Sequence, residues 1–308
     1  MSSTGSSNPD RDGGHGRSFR VLPRKRFGQH FLIDRGVIGA IVDAVAPAAG
    51  EPVIEIGPGT GALTAPLLAR AGALTAIEID RDLAPRLAAR FGPALRIVEQ
   101  DVLTVDFAAL AAEQGGAAPR LVGNLPYNIS SPLLIRLCGF ADRIRDQHFM
   151  LQRELVDRIV AGPGPDLGRL TVMLQNRFDV DRLFDVPPAA FDPPPRVASS
   201  VIRMVPKPAP LTTRVALLEQ LLAAAFGQRR KMLRNTLGRW LEKHAPAISL
   251  AGLAAGDPAL AEFADPTRRP EMVAVASWCA LAERLGGHGP AAVHPPGFDA
   301  TMTSGNTR

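Results

Sequence analysis

The segment Val53-Ile54-Glu55-Ile56-Gly57-Pro58-Gly59-Thr60-Gly61 constrains this chain more than any other. A short, mainly apolar strand, Pro52–Ile56, runs into a turn with glycine at every second position, and Ala62–Ala71 follows with helical spacing. Glycines in such a turn let the backbone reverse tightly and approach a ligand without a Cβ in the way. A strand before and a helix after separate a nucleotide-type turn from a chance GxGxG. The alternation continues with strands expected over Leu74–Ile79, Arg96–Glu99 and Leu121–Gly123, and helices over Ile33–Ala46 and Asp82–Arg90. This pattern predicts an α/β fold built on a doubly wound, Rossmann-like parallel sheet.

Further on, Ser131–Phe140, Glu154–Val160 and Arg169–Arg177 read as helices, and His148–Leu151, Asp179–Phe184 and Ser199–Val205 as strands. Pro187–Pro195 is a proline-rich loop, and Pro206-Lys207-Pro208-Ala209-Pro210 reads as a linker. Beyond it only helical patterns occur: Thr212–Phe226, Arg230–His244, Leu250–Ala254, Pro258–Phe263 and Pro270–Leu285. The expected organisation is a larger domain over 18–205 and a small all-helical domain over 206–285, between disordered tails at 1–17 and 286–308.

Composition narrows the function classes. Apolar residues are 46% and charged residues 21% of 308, so most of the chain should fold. Cys138 and Cys279 are the only cysteines and have no CxxC spacing, which points away from a disulfide framework or a zinc site and fits a reducing cytoplasm. Residues 1–16 lack the apolar stretch of a signal peptide, and no uncharged apolar run is long enough to cross a membrane. The net charge of +5 is uneven. Nine Lys/Arg face two glutamates between Arg203 and Leu250, and six face two aspartates within residues 1–30. Two basic segments around a near-neutral middle suggest a polyanion, by default nucleic acid.

Three strand ends carry ligand chemistry. Gly57 and Gly59 form the turn, Glu78 ends the next strand where a carboxylate can accept both hydroxyls of a ribose, and Asp101 follows the third, where it could accept from an adenine amine. NAD and S-adenosylmethionine both use this layout. The fourth strand runs into Asn124-Leu125-Pro126-Tyr127, and Tyr127 is the only tyrosine of the chain. An amide, two backbone carbonyls and an aromatic face presented together suit an exocyclic amine and its ring. That favours a methyl donor over NAD. No GxxxxGK[ST] is present, which disfavours a P-loop.

Five segments in order carry a family resemblance: Arg26–Leu32, Glu55–Gly61, Asn124–Pro132, Phe191–Val201 and Phe226–Lys231. Across Arg24 to Leu285 the chain resembles the bacterial 16S rRNA adenine dimethyltransferases. The resemblance implies S-adenosylmethionine as cofactor and dimethylation of N6 on two adjacent adenosines near the 3′ end of 16S rRNA. It also implies a 30S subunit or its precursor as partner, a role in ribosome biogenesis, and no metal. By position it assigns methyl-donor contacts to His30, Leu32, Gly57, Glu78, Asp101 and Asn124, with Gly59 in the same turn. His30 stands where the family usually has Asn. Catalysis falls to Asn124, Leu125, Pro126 and Tyr127, with Phe191 as the opposite face of a sandwich around the target base. Arg24, Lys25 and Arg26, and Arg229, Arg230, Lys231 and Arg234, would bind RNA, the latter group gathered by helical spacing. A monomer is expected. Competing readings are a 23S rRNA adenine dimethyltransferase of the macrolide-resistance type, a DNA adenine methyltransferase, and a non-catalytic ribosome-assembly factor.

Overall fold

A computed structural model describes residues 30–228 and 230–287. The expected tails lie outside the described residues, apart from Gly286 and Gly287 at the end of the last helix. In chain order the elements are β1 (Phe31–Leu32), α1 (Arg35–Val45), β2 (Val53–Ile56), α2 (Thr64–Ala71), β3 (Leu74–Glu78), α3 (Leu83–Phe91), β4 (Leu95–Glu99), α4 (Phe107–Glu113), β5 (Arg120–Asn124), α5 (Tyr127–Cys138), β6 (Asp146–Gln152), α6 (Arg153–Val160), α7 (Arg169–Arg177), β7 (Phe178–Val186), β8 (Phe191–Asp192) and β9 (Ser199–Pro206). The helices α8 (Val215–Phe226), α9 (Leu237–His244), α10 (Leu250–Ala254) and α11 (Val275–Gly286) follow.

Seven strands form one sheet in the order β4-β3-β2-β5-β6-β9-β7. The five strands from β4 to β6 are parallel, and their connections cover both faces with helices. β2 and β3 are accordingly buried at every residue, as strands covered on both sides must be. The expected doubly wound parallel sheet is present and carries an antiparallel extension at its far edge. β9 runs antiparallel to both β6 and β7, because the proline-rich segment 187–198 returns the chain without a crossover helix. β7 then lies at an edge, and its burial alternates along the strand. The order reverses at β2, with β3 on one side and β5 on the other, and the crevice above the carboxyl ends of these two strands is where such folds bind ligands.

Several boundaries differ, and one helix was not expected. α5 starts at Tyr127, not Ser131; Pro132, which resembles a first-turn proline, sits inside the helix, and Ser130 Oγ donates to the Pro126 carbonyl at 3.0 Å. α4 was not expected, although Asp106 caps it by accepting from the Ala108 and Ala109 amides. The helix expected over 230–244 begins only at Leu237, after a single 3₁₀ turn at Leu233–Asn235. The amides of Leu233 and Arg234 donate to the carbonyls of Arg268 and Pro266 and not to the preceding helical turn.

The helical tail shares its core with the sheet domain. Leu167, Val172 and Met173 pack with residues of α8–α11 such as Leu221 and Trp278, while Leu174, also in α7, joins the core under the sheet. The proline-rich linker is also tied down. Lys207 N donates to Arg177 O, and the buried Asn176 side chain accepts from Thr212 N at 2.9 Å and donates to Thr212 O at 3.2 Å. No helix among the described residues is long and apolar enough to cross a membrane. We expect Asn176→Ala to leave both buried Thr212 backbone groups unpaired and to lower stability by about 2–4 kcal/mol, measured by urea unfolding.

Candidate active site

Above the carboxyl ends of β2, β3, β4 and β5 lies a cavity of about 300 Å³. The turn after β2 forms one wall. Gly57 and Gly59 have φ of +65° and +58°, a region that favours glycine, and a Cβ on Gly57 would project into open space. On Gly59 it would stand 3.3 Å from the Phe31 ring, so β1 presses closely on the turn.

Two buried carboxylates stand next to the turn. Glu78 is 5% exposed, and its two oxygens accept from Gly59 N at 3.4 Å and Asp80 N at 2.9 Å. Burial pushes its pKa up, against the pull of these amides. Each carboxylate oxygen keeps a second lone pair for an incoming hydroxyl donor. Glu55, 2% exposed, accepts from Thr64 Oγ1 at 2.6 Å, and burial raises its pKa to about 7, helped by the neighbouring Glu78. Asp101 reaches the cavity after β4, with Oδ1 held by Leu103 N at 2.9 Å. Ile79, 47% exposed, and Val102 line the same end and offer apolar faces for a flat ring.

The Asn124–Tyr127 turn also lines the cavity. Asn124 Nδ2 donates to the His30 carbonyl at 3.0 Å. A carbonyl can only accept, so the amide cannot be turned over, and Oδ1 is left for another donor. The Pro126 carbonyl is engaged by Ile129 N at 3.2 Å and Ser130 Oγ. The Leu125 carbonyl accepts from none of the described residues, so Asn124 Oδ1 and Leu125 O are the two acceptors of this turn left without a donor among them. Tyr127 lines the cavity with its hydroxyl 3.1 Å from Ser199 Oγ and its ring 6.1 Å from that of His30.

The cavity thus gathers His30, Leu32, Gly57, Gly59, Glu78, Asp101, Asn124, Leu125, Pro126 and Tyr127, as the sequence suggested. Leu32 lines the cavity while its side chain also packs in the core with Phe191. Phe191 is a correction. It pairs with Leu32 across β1 and β8, is 3% exposed, and packs in the core with Val186 and Val201, so it anchors the loop and does not face the cavity. Glu55 and Ile79 were not singled out. Glu55 stands inside the glycine-turn motif itself, and Ile79 directly follows the strand-end acid.

Of the basic residues, Arg24, Lys25, Arg26 and Arg229 lie outside the described residues. Arg230, Lys231 and Arg234 are exposed and pair with no acid among the described residues, but a turn and a 3₁₀ segment carry them, not one helix face.

A family model described as ribosomal RNA adenine dimethylase matches residues 21–257. The chain belongs to this family. It is an S-adenosylmethionine-dependent rRNA adenine dimethyltransferase. Ribosomal RNA small subunit methyltransferase A of Paracidovorax citrulli is 53% identical over 263 residues, covering 85% of this chain and 98% of that protein. The protein of the same name from Bordetella avium is 55% identical over 268 residues, covering 85% and 95%. Among solved structures, a dimethyladenosine transferase from Plasmodium falciparum shares the fold with a TM-score of 0.67 at 24% identity, covering 83% of this chain and 98% of that one. The 23S rRNA methyltransferase ErmE aligns with a TM-score of 0.61 at 26% identity, covering 83% and 99%.

The cavity fits the methyl donor. Buried acids stand where a diol and cationic groups would lie, glycines open the turn, and apolar residues wall the ring site. Without a ligand, folded protein keeps a proton on Glu55 that the unfolded chain has released. Stability should therefore fall as pH rises from 4.5 to about 7. We expect Glu55→Gln to remove most of that slope, on the order of 3 kcal/mol, and to raise ligand-free stability at about pH 8, measured by unfolding across this range.

Proposed function

We propose that this protein dimethylates N6 of two adjacent adenosines near the 3′ end of 16S rRNA, acting on the 30S subunit or its precursor as a monomer. The observation that carries the chemistry is the fixed Asn124 amide, whose Oδ1 accepts from none of the described residues at a turn that lines the cavity. The curated relatives at 53% and 55% identity are small-subunit enzymes, whereas ErmE, at 26%, acts on 23S rRNA. That difference favours 16S rRNA over the resistance-type alternative.

In this reading Glu78 holds the donor's ribose, Asp101 its adenine amine, and the Gly57–Gly59 backbone its amino-acid end. The bound donor supplies a methyl group on a sulfonium leaving group. Asn124 Oδ1 and Leu125 O accept the two N6 hydrogens of the target adenine. The N6 lone pair is otherwise delocalised into the ring, and these acceptors draw the nitrogen toward tetrahedral geometry. They also stabilise positive charge developing on N6, where interaction energy lowers the barrier and not merely the bound state. No side chain need act as general base, because an alkylated N6 ammonium is acidic enough to lose its proton to water. Tyr127 stacks on the target base. Arg230, Lys231 and Arg234 hold phosphates of the rRNA, which is read largely by shape.

Incubation with labelled donor and unmodified small or large subunits, followed by mass spectrometry of the rRNA, tests this reading. We expect N6,N6-dimethyladenosine at two neighbouring 16S positions; product confined to 23S rRNA would establish the resistance-type activity instead. Asn124→Ala should lower the single-turnover rate on saturating small subunits by roughly 10²-fold or more while leaving RNA affinity near that of the wild type.

A further inference from the structure

Tyr127 is the first residue of α5, where a side chain has few helical neighbours to fix it. Two contacts nevertheless restrain it. Its hydroxyl lies 3.1 Å from Ser199 Oγ, and Ser199 is 1% exposed at the start of β9, registered against Gln152 of β6. The ring lies against the His30 imidazole, with centroids 6.1 Å apart and planes inclined by 27°. His30 is itself pinned, its Nδ1 2.8 Å from the Pro193 carbonyl. A carbonyl can only accept, so Nδ1 carries the hydrogen. Pro193 and Ser199 belong to one segment, whose start Phe191 anchors in the core. Both restraints on Tyr127 therefore trace back to residues 191–199.

We propose that Ser199 and His30 are positioning residues, forming a two-point clamp through which the 191–199 segment sets the ring of Tyr127 for the target adenine. The clamp rests on the reading that Tyr127 stacks on that base. A ring held at its tip and along one side has few orientations to lose when the base arrives, so restraint is supplied before binding. His30 then serves the base end of the cavity with its side chain and the Asn124 amide with its carbonyl. Ser199 and the Pro193 carbonyl touch neither reacting group; they act through Tyr127 and His30.

The test is a double-variant cycle on single-turnover methylation of unmodified small subunits, with donor affinity measured by calorimetry on each variant. Tyr127→Phe keeps the ring and removes the hydroxyl, and Ser199→Ala removes its partner. Each should lower the rate about three- to tenfold, the double variant should be no slower than the slower single, and donor affinity should not change. His30→Ala should lower the rate at saturating donor by a similar factor, whatever its effect on donor affinity, with part of the loss recovered in His30→Phe, which keeps a ring against Tyr127. Tyr127→Phe at wild-type rate, or losses that multiply in the double variant, would overturn the clamp. So would a His30→Ala variant impaired only in donor affinity. Tyr127→Phe keeps the test decisive even where Ser199→Ala fails to fold. Tyr127→Ala separates the clamp from the reading beneath it. If that variant is slow while Tyr127→Phe is not, only the clamp fails; if it works at wild-type rate, base stacking fails and the clamp falls with it.

Discussion

The close approach of β5 to β2 is the constraint on which the site depends. At Gly123 the two strands come so near that a Cβ would stand 2.6 Å from the Ile56 carbonyl. Glycine is therefore the residue that lets the strands continue side by side to their carboxyl ends. One of these ends carries the Gly57–Gly59 turn, the other Asn124 and Tyr127. A larger residue would pry them apart at the floor of the cavity, where the proposed function has the methyl group pass from donor to acceptor. The reversal of strand order supplies the crevice, and Gly123 sets its width.

The electrostatics suit a cationic ligand. Glu55 and Glu78 are both buried, and burial pushes the pKa of each up; the Glu78 charge adds to the rise at Glu55 and the Asp80 charge to the rise at Glu78. Such a pair is an unfavourable feature of the empty fold that bound positive charge would relieve. The hydrogen bonds from Thr64 Oγ1, Gly59 N and Asp80 N hold the carboxylates in place without neutralising them.

Much of this was legible in the sequence, and the limits have physical causes. The strands β2 to β5 were recognisable because a doubly covered strand is a short apolar run ending in turn residues, and Gly57, Glu78, Asp101 and Asn124 stand at those ends. The antiparallel insertion of β9 was not, since strand direction depends on the connection and a proline-rich loop does not reveal whether it crosses the sheet. Phe191 illustrates the same limit for a side chain. A phenylalanine between prolines reads as exposed, and only its pairing with Leu32 across β1 shows that it faces inward. The basic run 230–234 has helical spacing, but bonds from Leu233 and Arg234 to Arg268 and Pro266 divert the backbone, and partners so far along the chain leave no local trace. Ser199 carried no signal either, because its partner Tyr127 is far away in sequence.

Helix α7 lends Leu174 to the core beneath the sheet and Val172 and Met173 to the core of the helical tail. One rigid rod thus belongs to two hydrophobic interiors, and neither can shift without disturbing the other. The span to the cavity from Arg230, Lys231 and Arg234, which pair with no acid among the described residues, is then a fixed length, a calliper built into the molecule. In the proposed function, an RNA held at Arg230, Lys231 and Arg234 would bring an adenosine to the cavity only where its own fold has the matching distance, a selection by measurement as well as by contact.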